Sequence, residues 1–254
     1  MKKLLLLSVV LSFLAFDCHN DNSVEASSDN SSLNTGLIVY YPFNGNVRDS
    51  SGNYHDGFGL NNFSYVNGVS NKAIYLAGEN SVFSSSGGYV EIPPLDTAGL
   101  NSLSICVWVK EDTLYIPDAG EAYVQFGTDG RFGWCGIGHY YGNIQFSVGA
   151  EDDSNNPQAV NPISITYNPS DTHSWVFYSL VYDNGVLSAY KNGVFLTSIN
   201  QKLMIYGKAG FIAFHQWGGQ YAGSSTRFSG AIDELRIYKS ALSDQEIQQL
   251  YQLK

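Results

Sequence analysis

The stretch that decides the fold is residues 175–199, WVFYSLVYDNGVLSAYKNGVFLTSI. Two Asn-Gly pairs, Asn184-Gly185 and Asn192-Gly193, separate three runs that are rich in Val, Leu, Phe and Tyr. Asn-Gly favours a type I′ turn because both central residues of that turn have a positive φ. The stretch therefore predicts a meander of three antiparallel strands.

Further runs with strand character lie on both sides of the meander, at residues 36–43, 73–76, 89–92, 103–110, 123–126, 132–137, 143–148, 209–214 and 231–238. About a dozen short strands without intervening helices are typical of two packed antiparallel sheets. We therefore expect an all-β fold, an antiparallel β-sandwich.

One short helix is expected near the C-terminus. Ser243 and Glu246 have the spacing of a capping box, in which the hydroxyl and the carboxylate each accept a backbone N–H of the first turn. Ile247, Leu250 and Tyr251 follow at helical spacing and form one apolar face. The helix is predicted to pack on the sandwich and to have a structural role.

The charge of the chain limits its partners. It has 13 Lys and Arg against 23 Asp and Glu, which gives a formal net charge of −10. Nucleic acids and anionic membrane surfaces bind through basic side chains. The composition therefore argues against both, and it predicts contact with a membrane only through a lipid anchor.

The N-terminus has the pattern of an export signal. Lys2 and Lys3 precede an apolar run at residues 4–16, which is shorter than the roughly 20 residues that span a bilayer. Cys18 follows, and its surroundings resemble a bacterial lipobox, although Asp17 stands where that pattern has a small residue. We expect a lipid on Cys18 and a location in the outer membrane or at the cell surface. Ordinary cleavage, giving a periplasmic or secreted protein, is the alternative.

Three segments follow from this pattern: a signal peptide at residues 1–18, a flexible Asn- and Ser-rich tether at 19–35, and a folded domain at 36–254. The tether has almost nothing to bury, so it cannot offset the entropy of ordering itself. Cys106 and Cys135 are then the cysteines of the folded domain, and the sequence leaves open whether they form a disulfide.

Three parts of the chain carry a family resemblance: GLIVYYPFNGNVRDSSGNYHDG (36–57), SICVWVK (104–110) and FSGAIDELRIYKSALSDQEIQQLY (228–251). They resemble the LamG-like jelly-roll group of the concanavalin A-like lectin and glucanase superfamily. The resemblance covers residues 36–252 and implies a jelly-roll sandwich. The resemblance leaves both hydrolysis and binding as possible functions, since the superfamily includes hydrolases as well as lectins.

The carboxylates of the sequence do not match a glycosidase pattern. Retaining glucanases of this fold commonly carry Glu-x-Asp-x-(x)-Glu on one strand, because the two carboxyl groups must lie about 5–5.5 Å apart. The nearest match is Glu151-Asp152-Asp153, which has no second Glu and reads as a loop. Asp233 and Glu234 are adjacent, so their side chains should point to opposite faces of a strand. We predict that the protein is not an enzyme.

The resemblance also implies a structural calcium ion. In similar jelly rolls, the loop that corresponds to residues 49–53 and the Asp of the FxGxIDE segment lie close together around one Ca²⁺. The residues carried over are Asp49, Asn53 and Asp233. The alternative is that Asp49 and Asn53 only make turn hydrogen bonds, while Asp233 pairs with Arg236 or with backbone.

Sugar binding needs aromatic faces together with planar polar groups. Two Gly-rich segments, residues 131–143 and 215–221, combine them, and their candidate ligand-binding residues are Trp134, His139, Tyr140, Tyr141, His215, Trp217 and Tyr221. Trp108 and Trp175 lie in apolar alternation and are expected in the core. The leading hypothesis is a non-catalytic glycan-binding or adhesion domain of an exported lipoprotein. The alternatives are a protein-binding or spacer module and a divergent polysaccharide hydrolase.

Overall fold

The computed structural model describes residues 32–79, 86–97, 99–112, 120–127, 134–149, 162–201, 210–217, 223–225 and 228–253. Of residues 134, 215–217 and 223–225, only the backbone is described. The predicted signal peptide, Cys18 and residues 19–31 lie outside these ranges. None of the helices in the described part is long and apolar enough to cross a membrane.

Seventeen strands and one α-helix make up the described regular structure, besides two short 3-10 turns. The strands are β1 (Leu37–Tyr41), β2 (Phe58–Leu60), β3 (Phe63–Asn67), β4 (Lys72–Leu76), β5 (Tyr89–Ile92), β6 (Ser102–Glu111), β7 (Gly120–Gly127), β8 (Trp134–Tyr140), β9 (Asn143–Ser147), β10 (Ile163–Thr166), β11 (Val176–Asp183), β12 (Val186–Lys191), β13 (Val194–Asn200), β14 (Gly210–Ile212), β15 (His215–Trp217), β16 (Gly223–Ser225) and β17 (Gly230–Tyr238). Helix α1 is Asp244–Gln252.

Two antiparallel sheets form the sandwich. The first has the order β13-β12-β11-β6-β17-β4-β3, and β1 also pairs with β17. The second has the order β10-β9-β8-β7-β14-β5-β2, and β15 and β16 form a separate hairpin. Neighbours that are distant in sequence, such as β6 and β17, make this an antiparallel jelly-roll sandwich. The predicted fold class is confirmed.

The core lies between the two sheets, where β11 and β12 of the meander contribute alternate apolar side chains. Its largest buried members include Tyr41, Phe43, Tyr123, Phe146 and Phe228. At about 25 cal/mol per Å² of apolar surface, the burial of these side chains is the main stabilising contribution.

A second apolar cluster covers the outer face of the first sheet. Trp108 stacks on Tyr251 of helix α1 with ring centroids 5.4 Å apart, and Ile247 and Leu250 of the same helix are buried beside it. The capping box at Ser243 and Glu246 is present as predicted. Trp108 is 3% exposed, which confirms its place in a core, while Trp175 is only partly buried.

Leu33 belongs to this second cluster. It is 4% exposed, in a 3-10 turn at Ser32–Asn34, and the turn lies against helix α1. The predicted tether, 19–35, is therefore too long at its C-terminal end, because Leu33 is a large apolar side chain that finds a surface to pack on. The described fold begins at residue 32.

All twelve predicted strand runs contain a strand of the structure. Five further strands, β2, β3, β10, β15 and β16, were not predicted. Three of these five have only three residues, too few for an alternating pattern to stand out. The β3 strand, FSYVN, and β10, ISIT, are mostly exposed or half-buried, so they show little apolar alternation.

Candidate functional site

The outward face of the second sheet carries a row of residues that cross-strand register brings side by side. Val90 and Ile92 of β5 and Ile212 of β14 point into the core, so the residues between them point outward. The row runs across six strands in the order Phe58, Glu91, Phe211, Gln125, Gly136 and Ser147.

One end of this row forms an open groove of about 310 Å³. We call it the Phe58 groove; its lining residues are Asp56, Phe58, Glu91, Ile92, Pro93, Pro94 and Phe211. Phe58 is 64% exposed, the second most exposed of the large hydrophobic side chains in the described part of the chain. The groove therefore presents an aromatic ring to solvent between two exposed carboxylates.

Aromatic packing fixes the wall of the groove that β14 provides. The ring of Phe211 lies 4.8 Å from that of Phe214 and 6.5 Å from that of Tyr89, and the last two are 4.7 Å apart. On the other side of β14, Gly210 lies against the Phe126 ring, where a Cβ would come within 2.3 Å of it. The sequences of β5 (YVEI) and β14 (GFI) alternate between the core and the outward face. This alternation directs Tyr89 and Phe211 to the same outward face.

The chemistry of the groove suits a hydroxyl-rich, uncharged ligand. The carboxylate oxygens of Asp56 and Glu91 accept hydrogen bonds, so they match the donors of sugar hydroxyls. Phe58 and Phe211 offer apolar faces for the C–H side of a sugar ring. No Lys or Arg is among the described lining residues.

The family model for the concanavalin A-like lectin/glucanases superfamily, in its Laminin_G_3 form, matches residues 84–248, which is more than half of the chain. The chain belongs to this superfamily. None of the curated proteins matches it in sequence.

Solved structures of similar fold include a domain of an arabinanase and binding domains of toxins. Domain 4 of AbnA, a GH43 extracellular arabinanase from Geobacillus stearothermophilus solved with arabinotriose, is 23% identical with a TM-score of 0.64, over 85% of this chain and 98% of that domain. Botulinum neurotoxin type C, whose cell entry depends on two ganglioside molecules, is 14% identical with a TM-score of 0.68, over 88% of this chain. The binding domain of botulinum neurotoxin DC, solved with rat synaptotagmin II, is 16% identical with a TM-score of 0.66, over 86%. This chain covers 52% of each of these two toxin chains, and at such identities the likeness shows the fold alone.

The first predicted ligand-binding segment of this concanavalin A-like domain lies along β8. His139 is fully buried between the sheets, where its Nδ1 lies 3.1 Å from Glu111 Oε1 and its ring lies 4.3 Å from that of Tyr167. Tyr140 is 4% exposed. Alternation along β8 directs His139 into the core, and packing covers Tyr140. A ligand bound at the surface of this structure therefore does not contact either side chain.

The remaining predicted residues of this segment are Trp134 and Tyr141. Tyr141 is 56% exposed in the turn that joins β8 to β9. Trp134 begins β8 opposite Gly127, and its side chain lies outside the described part of the structure. Their ligand-binding role stays a prediction.

The second predicted segment follows Phe214 directly. The backbones of His215 and Trp217 belong to β15, which pairs with β16 and contacts β7. Tyr221 lies outside the described residues. Since β8 also pairs with β7, the backbones of both predicted segments adjoin the same strand. Whether their side chains form a ligand site stays a prediction.

Backbone hydrogen bonds occupy the residues of the predicted calcium site. The Asp49 carboxylate accepts the N–H groups of Tyr40, Ser51 and His55 at 2.8–3.0 Å. Asn53 donates through Nδ2 to the carbonyls of Leu37 and Ile38, at 2.9 Å each.

Asp233 makes a separate set of contacts. Its Oδ2 accepts from the N–H groups of Val69 and Ser70 at 2.8 and 3.3 Å, and its Oδ1 accepts from Glu234 N–H at 2.9 Å. Arg236 pairs instead with Glu234 at 2.8 Å. Among the described residues, no three His, Cys, Asp or Glu lie together as a possible metal site. The carboxylates of Asp49 and Asp233 accept backbone hydrogen bonds in separate turns, which fits turn stabilisation better than a shared ion. The calcium site stays a prediction.

The carboxylates considered for catalysis lie in different settings. Asp233 and Glu234 are buried at an irregularity in the pairing of β17 with β6, where Glu234 has a φ of +52°. Glu234 accepts the hydroxyl of Tyr40 at 2.9 Å, so its contacts are internal. Glu151, Asp152 and Asp153 lie outside the described residues.

The two described cysteines are buried and unbridged. Cys106 lies in the cluster beneath helix α1, whereas Cys135 lies in the core between the sheets. Burial raises the pKa of both thiols to about 12. They therefore act as small apolar side chains.

Proposed function

We propose that this chain is a non-catalytic carbohydrate-binding domain that holds a neutral glycan in the Phe58 groove. The observation that carries the proposal is Phe58 itself, 64% exposed between the carboxylates of Asp56 and Glu91. Exposure of this ring to water in the free protein is unfavourable, and ligand binding would remove the ring from water. Membership of a lectin and glucanase superfamily supports the proposal, as does the similar domain solved with arabinotriose.

The charge of the groove favours neutral over acidic glycans. Two carboxylates line it, and the whole chain has a net charge of −10. A uronate or sialate placed there would be repelled by both carboxylates, at a distance that salt screens only partly. Neutral sugars instead donate hydroxyl hydrogen bonds to these acceptors.

Binding without hydrolysis is the activity proposed. The general acid of a glycosidase lies in an apolar pocket that keeps it protonated. Asp56 and Glu91 are exposed instead, and Asp56 accepts the backbone N–H of Asp49 at 2.8 Å. Reducing sugar released from arabinan, xylan or laminarin by the purified protein would contradict this part of the proposal.

The test is affinity electrophoresis in gels that contain arabinan, xylan or laminarin, with polygalacturonate as the acidic comparison. Wild type should be retarded by a neutral polysaccharide, and Phe58→Ala should weaken that binding by about tenfold or more, as expected for roughly 1.5–3 kcal/mol of lost apolar burial. Its melting temperature should stay near that of wild type, since an exposed ring supports little core.

Matched variants make the test specific. Phe195→Ala removes an aromatic ring that is 47% exposed on β13 of the other sheet and should leave binding unchanged. Trp217→Ala tests the predicted aromatic segments: loss of binding in Trp217→Ala but not in Phe58→Ala would move the site to β15. Failure of wild type to bind any glycan would favour a protein-binding or spacer module.

We further propose that the domain belongs to an exported bacterial lipoprotein anchored through Cys18. The pattern of Lys2, Lys3 and the apolar run before Cys18 supports this. In a bacterial host, Cys18→Ser should move the protein from the membrane fraction to the soluble one. Unchanged partitioning would exclude the anchor.

A further inference from the structure

Tyr54 combines an unusual backbone conformation with almost complete exposure. Its φ is +63°, and its side chain is 93% exposed. A bulky residue with positive φ is a backbone outlier, because its Cβ approaches the following carbonyl oxygen. A chain keeps such a residue only where the surroundings enforce it or where it serves a purpose.

Packing does not compensate for the strain at Tyr54. Phe43 is a useful comparison, because its φ is +50° and its side chain is fully buried in the core. Core burial therefore stabilises Phe43 in its unfavourable conformation. Tyr54 gains no such burial, so the fold itself gives no reason for an aromatic side chain there.

Hydrogen bonds on both sides of Tyr54 hold the loop in place. Before it, the Asp49 carboxylate accepts the N–H of Ser51 at 2.8 Å. After it, the same carboxylate accepts the N–H of His55 at 3.0 Å, and the hydroxyl of Tyr41 donates to the carbonyl of His55 at 2.5 Å. These contacts use backbone groups and do not involve the Tyr54 ring.

The same loop runs directly into the Phe58 groove. Asp56 and Phe58, two and four residues after Tyr54, both line it. Gly57 lies between them against β5, where a Cβ would come within 2.9 Å of Val90 Cγ1. The loop is therefore fixed both to β1, through Asp49 and Tyr40, and to the strand that carries Glu91.

We propose that Tyr54 is a ligand-contacting residue of the glycan site, a rigidly held aromatic in the loop that leads into the Phe58 groove. This inference rests on the proposed function and extends the site beyond the residues that line the groove. Tyr offers a large apolar face and a hydroxyl with few rotatable bonds, so it loses little entropy on contact. A loop that is already ordered lowers the cost of binding further.

The test compares Tyr54→Asn with Tyr54→Phe. Asn tolerates the left-handed conformation better than other non-Gly residues. Tyr54→Asn should therefore melt at or above the temperature of wild type, yet bind the neutral polysaccharide that retards wild type most strongly (among arabinan, xylan and laminarin) at least threefold more weakly. Tyr54→Phe keeps the ring and should retain most of the affinity.

The outcomes separate this inference from the proposed function. If Phe58→Ala loses binding while Tyr54→Asn binds as tightly as wild type, the groove stands and the role of Tyr54 is refuted. A lower melting temperature for Tyr54→Asn would show that Tyr54 supports the fold, and would also refute it. If wild type binds none of the three polysaccharides, the proposed function fails, and this inference fails with it.

Discussion

The carboxylate of Asp49 accepts the backbone N–H of Tyr40 at 3.0 Å and so ties the first long loop to strand β1. The Asp49 side chain is fully buried, and it also accepts backbone N–H groups from Ser51 and His55. One side chain thus organises the loop that leads to the Phe58 groove.

Asp49→Ala should lower the free energy of unfolding by roughly 2–4 kcal/mol, because it leaves several donors without an acceptor. Urea denaturation measures this change. The variant should also lose glycan affinity, since the groove wall at Asp56 depends on the same loop. A variant as stable as wild type would show that water replaces the carboxylate without cost.

The protonation of Asp49 should affect stability in acid. Burial raises the pKa of its carboxyl, but the backbone hydrogen bonds from Tyr40, Ser51 and His55 outweigh burial, and the pKa lies below its usual value of 3.8. Its contribution is therefore present above pH 3.8 and is lost as the pH falls through the lower folded-state pKa. Melting temperatures of wild type should drop below pH 4, and those of Asp49→Ala should drop less steeply.

Asp233 should give the opposite dependence. Burial, aided by the charge of Glu234, raises its pKa from 3.8 to about 7, against the lowering effect of the N–H groups of Ser70 and Val69. The folded state then holds this proton more tightly than the unfolded state. Its contribution is complete below pH 3.8 and is lost as the pH rises through about 7.

We therefore expect the melting temperature of wild type to fall as the pH rises from 4 to 7, which is the interval between the usual pKa of Asp233 and its raised value. Asp233→Asn carries no charge at either pH, so its melting temperature should change less over that interval, even if the variant is less stable throughout. Parallel curves for the two proteins would show that Asp233 is ionised across the whole range.

The predicted calcium site has a direct test. A bound ion stabilises the folded state by RT ln(1 + [L]/Kd), about 2.7 kcal/mol at a hundredfold excess over Kd. Millimolar calcium should then raise the melting temperature above that in EDTA, and Asp233→Ala or Asn53→Ala should abolish the difference. Identical melting curves for wild type in calcium and in EDTA would show that these side chains make only their hydrogen bonds and bind no calcium.

Trp108 should be critical for attaching helix α1. Its ring lies 5.2 Å from that of Phe177 and 5.4 Å from that of Tyr251. Trp108→Ala should destabilise the domain by roughly 3–5 kcal/mol through the cavity that it leaves. Calorimetry measures this loss, and glycan affinity measured well below the melting temperature should be unchanged, because the helix and the groove lie on different sheets.

Local patterns in the sequence determined twelve of the seventeen described strands, the helix and the fold class. The Asn-Gly pairs at 184–185 and 192–193 specify the turns of the meander, and Ser243 and Glu246 specify the start of the helix, because each feature depends on residues that are near in sequence. The buried position of Trp108 followed in the same way from its apolar neighbours.

Only the tertiary structure brought Phe58, Glu91 and Phe211 together. They lie on three strands far apart in the chain, and the register of β2, β5 and β14 makes them neighbours. The same packing buried His139, which composition had suggested as a ligand, because side chains alternate along β8. Composition indicated which residue types could bind a glycan, but strand register and burial decided which of them reach the surface.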